Sequence, residues 1–204
     1  MVDNVSTMQD TASDLNERIA ERVRELRAAN GLSLDALAAR SGVSRSMLSL
    51  VERAESSPTA VLLEKIAAGL GVTMAAMFDA PRSAPVRDDP VARRADQPQW
   101  RDPASGYLRR NVSPPGAPGP FQIVEVEFPP RARVAFETGA RDVRIHQQIW
   151  VLEGTIDVTV GDERHRLRDG DCLAMQLDQP TMFHNPTRHP ARYAVVMATD
   201  STRR

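Results

Sequence analysis

Hydrophobic positions change their period partway along the chain. From Asn16 to Phe78 they recur at intervals of three and four, the spacing of an amphipathic helix. Ile19, Val23 and Leu26 share one face of a first helix that runs from about Asn16 to Ala29 and stops at Gly31. Ser33 is placed to cap a second helix, with Asp35 in its first turn and Leu34, Leu37 and Ala38 behind it. Ser44 caps a third, Arg45 to about Arg53. Pro58-Thr59 opens a fourth, whose buried stripe is Leu62, Leu63, Ile66, Ala67 and Leu70. After Tyr107 the period becomes two: Phe121–Phe128, Trp150–Leu152, Thr155–Val160 and Tyr193–Ala198 read as short strands, separated by turns such as Gly161-Asp162 and Gly170-Asp171. Pro81, Pro85, Pro90 and Pro98 interrupt the stretch between the two patterns, which reads as a semi-rigid linker.

The predicted organisation is therefore an unstructured polar N-terminus at 1–13, an all-α unit of five helices at 14–79, a proline-rich linker at 80–104 and an all-β unit at 105–200. Charge narrows the function only a little. Lys and Arg number 26 against 27 acids, a net charge of −1, which excludes a generally basic coat for nucleic acid but not a local basic face. A single cysteine, Cys172, cannot form an internal disulfide, and no CxxC zinc motif is present, which fits a reducing cytoplasm. The N-terminus lacks the apolar core of a secretory signal, and no apolar run is long enough to span a membrane.

The second and third helices carry the first functional signal. Two helices crossing over a tight turn need a small residue, here Ala38, and a residue tolerant of positive φ, here Gly42. Val43 plugs the corner, while Leu48 and Val51 turn inward, leaving Arg45, Ser46, Ser49 and Arg53 on the outer face. The block Leu32 to Val72 resembles the phage-repressor type of helix-turn-helix, the Xre family. The resemblance implies a third helix lying in the major groove of DNA, with Ser44, Arg45, Ser46 and Ser49 facing the bases. Arg45 is the candidate for a bidentate guanine contact. Ser33, at a helix N-terminus, is a phosphate-contact candidate, with Arg40 and Arg53 beside it. Leu34 and Leu50 depart from the family, which often has polar residues there. Protein contact in place of DNA contact is the competing reading.

Two further blocks, His146–Val160 and Leu167–Thr187, resemble the paired motifs of the cupins, a double-stranded jelly roll. Metal-binding cupins hold their ion with histidines and a glutamate converging inside the barrel. Carried over, the second-motif histidine is His184, the glutamate becomes Gln147, and the paired histidines would fall at Ala140 to Val143, where there are none. A reduced triad of Asp142, His146 and His184 is opposed by spacing, because residues four apart on a strand stand about 13 Å apart. No metal ligand set, cofactor or catalytic residue is therefore assigned. A pocket with apolar walls and a few polar groups would suit a small organic ligand, with His146, Gln147, Gln148, Trp150, Met175 and His184 as candidates. Cys172 and Trp150 have plainer readings as core or interface residues.

The expectation is a bacterial transcription regulator. Its N-terminal helix-turn-helix domain binds a double-stranded DNA operator, and its cupin-like domain senses an unknown small-molecule effector and holds a homodimer. Two copies would set recognition helices roughly 34 Å apart. The alternative is a metal-dependent cupin enzyme (an oxygenase, epoxidase or isomerase) with an accessory helical domain.

Overall fold

The computed structural model describes residues 3–78, 89–115, 119–137 and 144–199. Four α-helices, α1 (Asp3–Ala29), α2 (Leu34–Ser41), α3 (Arg45–Glu52) and α4 (Ala60–Leu70), are followed by a 3-10 helix at Met74–Phe78. The caps stand where the sequence places them. Ser33 Oγ accepts from Ala36 N at 3.1 Å, Ser44 Oγ from Met47 N at 3.2 Å and Thr59 Oγ1 from Leu62 N at 3.3 Å. Gly42 ends α2 in the left-handed region at φ 68°.

Two expectations are corrected. First, α1 begins at Asp3, not near Asn16, so the N-terminus expected to be unstructured continues the helix. Residues 3–15 contain no glycine or proline, and extending a helix that already exists is far easier than nucleating one. Second, the expected fifth helix is one 3-10 element of five residues, separated from the left-handed Gly71 by Val72 and Thr73. A close contact between α4 and α2 that the sequence reading did not single out falls at Gly69. A Cβ on Gly69 would stand 2.7 Å from Ser41 Cβ, and Ala38 is partly buried and packs against the core.

The β unit consists of two antiparallel sheets. Sheet one has the order β1-β2-β3-β10-β5-β8 and sheet two β4-β9-β6-β7. The strands are β1 (Gln99–Arg101), β2 (Leu108–Asn111), β3 (Phe121–Phe128), β4 (Arg133–Phe136), β5 (Ile145–Glu153), β6 (Thr155–Val160), β7 (Glu163–Arg168), β8 (Cys172–Gln176), β9 (Thr181–His184) and β10 (Ala191–Thr199). Val124, Phe128, Ile149, Val151, Ile156 and Val158 fill the space between them.

The linker is shorter than expected. Residues 79–88 lie outside the described ones, but Trp100, inside the span read as linker, is buried in β1 and its ring lies 5.8 Å from that of Phe78. Burying one indole face is enough to commit this proline-flanked segment to the fold. The two units dock directly. Ala60 N, at the start of α4, donates to Asp102 Oδ1 at 2.9 Å; Thr73 Oγ1 donates to Gln122 Oε1 at 2.6 Å; Asn111 Nδ2 donates to Ala75 O at 3.2 Å. A file of rings, Phe78, Trp100, Tyr107, Phe128, Tyr193, then Phe183, runs from the helical unit into the β unit at centroid spacings of 5.8–6.1 Å. No helix among the described residues is long and apolar enough to cross a membrane.

Candidate functional site

The outer face of α3 is held from behind. Leu48 and Val51 are buried, and so is Glu52. Its carboxylate receives Arg27 of α1 in a side-on pair, Nε to Oε1 at 2.6 Å and Nη2 to Oε2 at 2.9 Å, while Arg27 Nη1 donates to Leu32 O at 2.9 Å. The hydrogen bond to Glu52 raises the guanidinium's pKa further. One arginine thus ties α3 to α1 and to the loop before α2. Sequence reasoning missed this pair. The signal was an acid at the i+4 position of the inward stripe begun by Leu48.

On the solvent side Arg45 and Ser46 are exposed, and Ser49 is half-buried. Arg45 Nε lies 3.1 Å from Asp35 Oδ1, with both side chains more than half exposed (64% and 76%). Such a surface pair contributes little and yields readily to a better acceptor. Ser33 and Ser44 use their hydroxyls as caps, and Ser44 Oγ also lies 3.2 Å from Ser46 Oγ. Arg53 donates to Ser49 Oγ at 3.3 Å and to Glu55 at 2.8 Å.

Inside the jelly roll lies a cavity of about 80 Å³. Inward strand positions wall it with Val126, Phe128, Val134, Phe183 and Val195. Its polar groups are Gln147, Thr181, Tyr107, Tyr193 and Arg109. The third wall comes from the helical unit: Glu64 of α4 and the Thr73-Met74 corner line the same space. Burial drives the Tyr107 and Tyr193 phenols well above their ordinary range, so both are neutral hydroxyls.

Of the six ligand candidates only Gln147 lines this cavity. Burial along β5 alternates, with Ile145, Gln147, Ile149 and Val151 inside, so His146, Gln148 and Trp150 project to the other face. Met175, opposite Gln147 on β8, packs against the core without reaching the cavity. His184 alternates with the inward Thr181 and Phe183, and its Nδ1 lies 3.7 Å from Asp157 Oδ2. Asp157 itself is buried beneath Arg164 and Arg166; hydrogen bonding from Arg166, then from Arg164, holds its carboxyl below the usual range against the opposing effect of burial. Asp142 lies outside the described residues. The residues present do not fit the metal centre of other cupins: the two histidines face away from the cavity, and a neutral amide stands where the glutamate would be. Among the described residues no group of three or more His, Cys, Asp or Glu could hold a metal ion.

Comparison with known proteins agrees with both halves. The helix-turn-helix family matches residues 23–76 and the cupin domain matches residues 126–197. The chain is 27% identical over 168 residues to the HTH-type transcriptional regulator SutR of Escherichia coli (strain K12), covering 82% of this chain and 86% of that protein. It superposes on the crystal structure of an HTH_3 family transcriptional regulator from Vibrio cholerae with a TM-score of 0.73 and 29% identity, over 92% of this chain and 98% of that one. The hydroxypropylphosphonic acid epoxidase from S. wedmorenis superposes at a TM-score of only 0.43 with 18% identity, over 89% of this chain and 97% of that one, too distant to bear on chemistry.

Proposed function

The chain joins an Xre-type helix-turn-helix domain to a cupin domain in a transcription regulator, and on that premise we propose that it reads a DNA operator as a homodimer and senses a small molecule in the cupin cavity. One observation carries the sensing: the cavity is walled by both domains. An occupant touches Glu64 and the Thr73-Met74 corner as well as the strands, so its binding free energy depends on where the helical domain sits. That is the differential contact any ligand needs to shift a conformational equilibrium. The site works in the cytoplasm, where the operator is.

A regulator, not an enzyme, is the reading supported by His146 and His184 facing away from the cavity. Dimerisation is supported by the outer face of the six-stranded sheet. Phe121, Ile123 and Trp150 are exposed there (66%, 40% and 50%) on β3 and β5, with β10 between them. Large apolar side chains gathered on one face mark an interaction surface. A second copy meeting this face about a two-fold axis would bring two α3 helices to two half-sites.

The test is a binding titration against operator fragments selected from the source genome. Arg45→Ala should weaken the selected fragment by roughly 1–3 kcal/mol while leaving scrambled DNA unaffected. Binding of the selected fragment should also fall steeply with salt. Equal affinity for selected and scrambled fragments, with a flat salt response, would replace DNA reading by protein contact.

A further inference from the structure

Arg109 and Arg110 are consecutive residues of β2, both buried, and their surroundings differ sharply. Arg110 donates to Gln97 Oε1 and to the Glu125 carboxylate. Arg109 projects from the opposite face of the strand, beside Trp100 and Val126, into the cavity. It is 7% exposed, and its Nε and Nη2 atoms have no hydrogen-bond partner. An arginine is protonated at any ordinary pH, and buried donors left without acceptors are costly. Phe78 lies under the guanidinium with 5.7 Å from Cζ to the ring centroid, and Tyr107, which also offers it a hydrogen bond, then Glu64 from the α4 side, favour its charged form. None of the three gives Nε or Nη2 an acceptor.

We propose that the cavity is the site of a small carboxylate, whose two oxygens lie side-on to Nε and Nη2 of Arg109. This names the effector class for the sensing function above and rests on that reading. Nε and Nη2 share one edge of the guanidinium, the fork that matches a carboxylate in bidentate geometry. Phe128, Val134, Phe183 and Val195 supply apolar walls for a short hydrocarbon body, which disfavours a strongly hydrated tetrahedral oxyanion. Thr181 and Gln147 offer further polar contact. Size limits the body: 80 Å³ is about half the 150 Å³ cavity that holds benzene, so an occupant of about four or five heavy atoms fits. Burial presses the Arg109 guanidinium below its ordinary value, a shift that an adjacent anion reverses. The Tyr107, Phe78 and Trp100 rings around Arg109 belong to the seam between the domains, so filling the site braces that seam.

The experiment is thermal melting and calorimetric titration of the full chain, and of its Arg109→Met and Arg109→Lys variants, at fixed ionic strength. The panel is acetate, propionate, butyrate and pyruvate, with propionamide, propanol, sulfate and chloride as controls. At least one carboxylate should raise the melting temperature and titrate to saturation, while the controls should not. Arg109→Met should remove that shift and, without ligand, melt at or above the wild type, because a costly buried charge is gone. Arg109→Lys, which keeps the charge but loses the fork, should weaken binding at least tenfold. A melting temperature for Arg109→Met well below the wild type, with no carboxylate acting on the wild type, would make the guanidinium structural and overturn the proposal. Sulfate acting as strongly as propionate would also overturn it. Neutral controls that bind equally to wild type and Arg109→Met would overturn the anion site but leave sensing intact. If no compound from a chemically diverse panel changes either melting or operator affinity, the sensing reading itself fails.

Discussion

Gly69→Ala offers a direct test of how the helical unit is assembled. In an open helix interior this substitution stabilises by about 1 kcal/mol, because alanine is the better helix former and restricts the unfolded chain. At Gly69 the added Cβ would meet Ser41 Cβ at 2.7 Å, and also Ser41 Cα and N at 3.0 Å. Ordinary carbon contacts lie near 3.5–4.0 Å, so α2 and α4 must separate by about 1 Å. No rotamer change can relieve it, since two of the three opposing atoms are backbone. Overpacking of this kind costs about 1–3 kcal/mol. Subtracting the helical gain leaves a net loss of about 1 kcal/mol, which in a chain of this length lowers the melting temperature by roughly 2–4 °C. Urea unfolding followed by far-ultraviolet circular dichroism gives the value, and Ser41→Gly in the same background should recover part of it. A Gly69→Ala protein that gains the full 1 kcal/mol of a free helical site would refute the close approach of α2 and α4.

Three other outcomes follow from the same contacts. Glu52→Ala strips the half-buried Arg27 guanidinium of its partner and should cost about 2–3 kcal/mol in urea unfolding, near the low end for a broken buried pair because Arg27 keeps some solvent; Glu52→Gln should cost less. Trp150→Glu should convert the proposed dimer to monomer in light scattering without lowering protomer stability, and a persistent dimer would move the interface elsewhere on the surface. The Asp157 carboxyl is held below its ordinary value of 3.8, so the fold favours its ionised form. Its contribution is complete above that value and is lost as the pH falls through the depressed one, so Asp157→Asn should flatten the acid limb of a stability profile recorded between about pH 6 and pH 2.

Local chemistry made the helical half legible. Ser33, Ser44, Thr59 and Gly42 each act on neighbours within a few residues, and a cap or a left-handed turn is specified by the residue itself. The jelly roll was legible as alternation, but which phase faces inward was not. A shift of one residue sends every side chain to the opposite face. The motif resemblance led to Gln147 but equally to His146, Gln148 and Trp150 beside it, and only Gln147 shares the buried phase of Ile145, Ile149 and Val151. The same shift separates His184 from Thr181 and Phe183. Arg109, Glu64 and Thr73 could not be found from local pattern at all. They are far apart in sequence, and only the docking of α4 and the 3-10 helix against the barrel brings them to one space. Trp100 was hidden by the prolines around it.

The bond from Ala60 N to Asp102 bears on how such a chain can be rebuilt. The first turn of a helix has amide groups that its own backbone cannot satisfy. For α4 one of them is served by a carboxylate from the other domain. Cutting between residues 78 and 89 would therefore not release two finished modules: the helical half would keep an unmet donor at α4 and an uncovered Phe78. A chimera that grafts this helix-turn-helix domain onto a different partner domain must carry the segment from Trp100 through Arg109 with it, because the boundary that matters physically lies well past the one the prolines suggest. Exchange of the cupin domain in this chain is thus constrained by a helix cap, and the portable unit is the helical domain together with its adjoining strands.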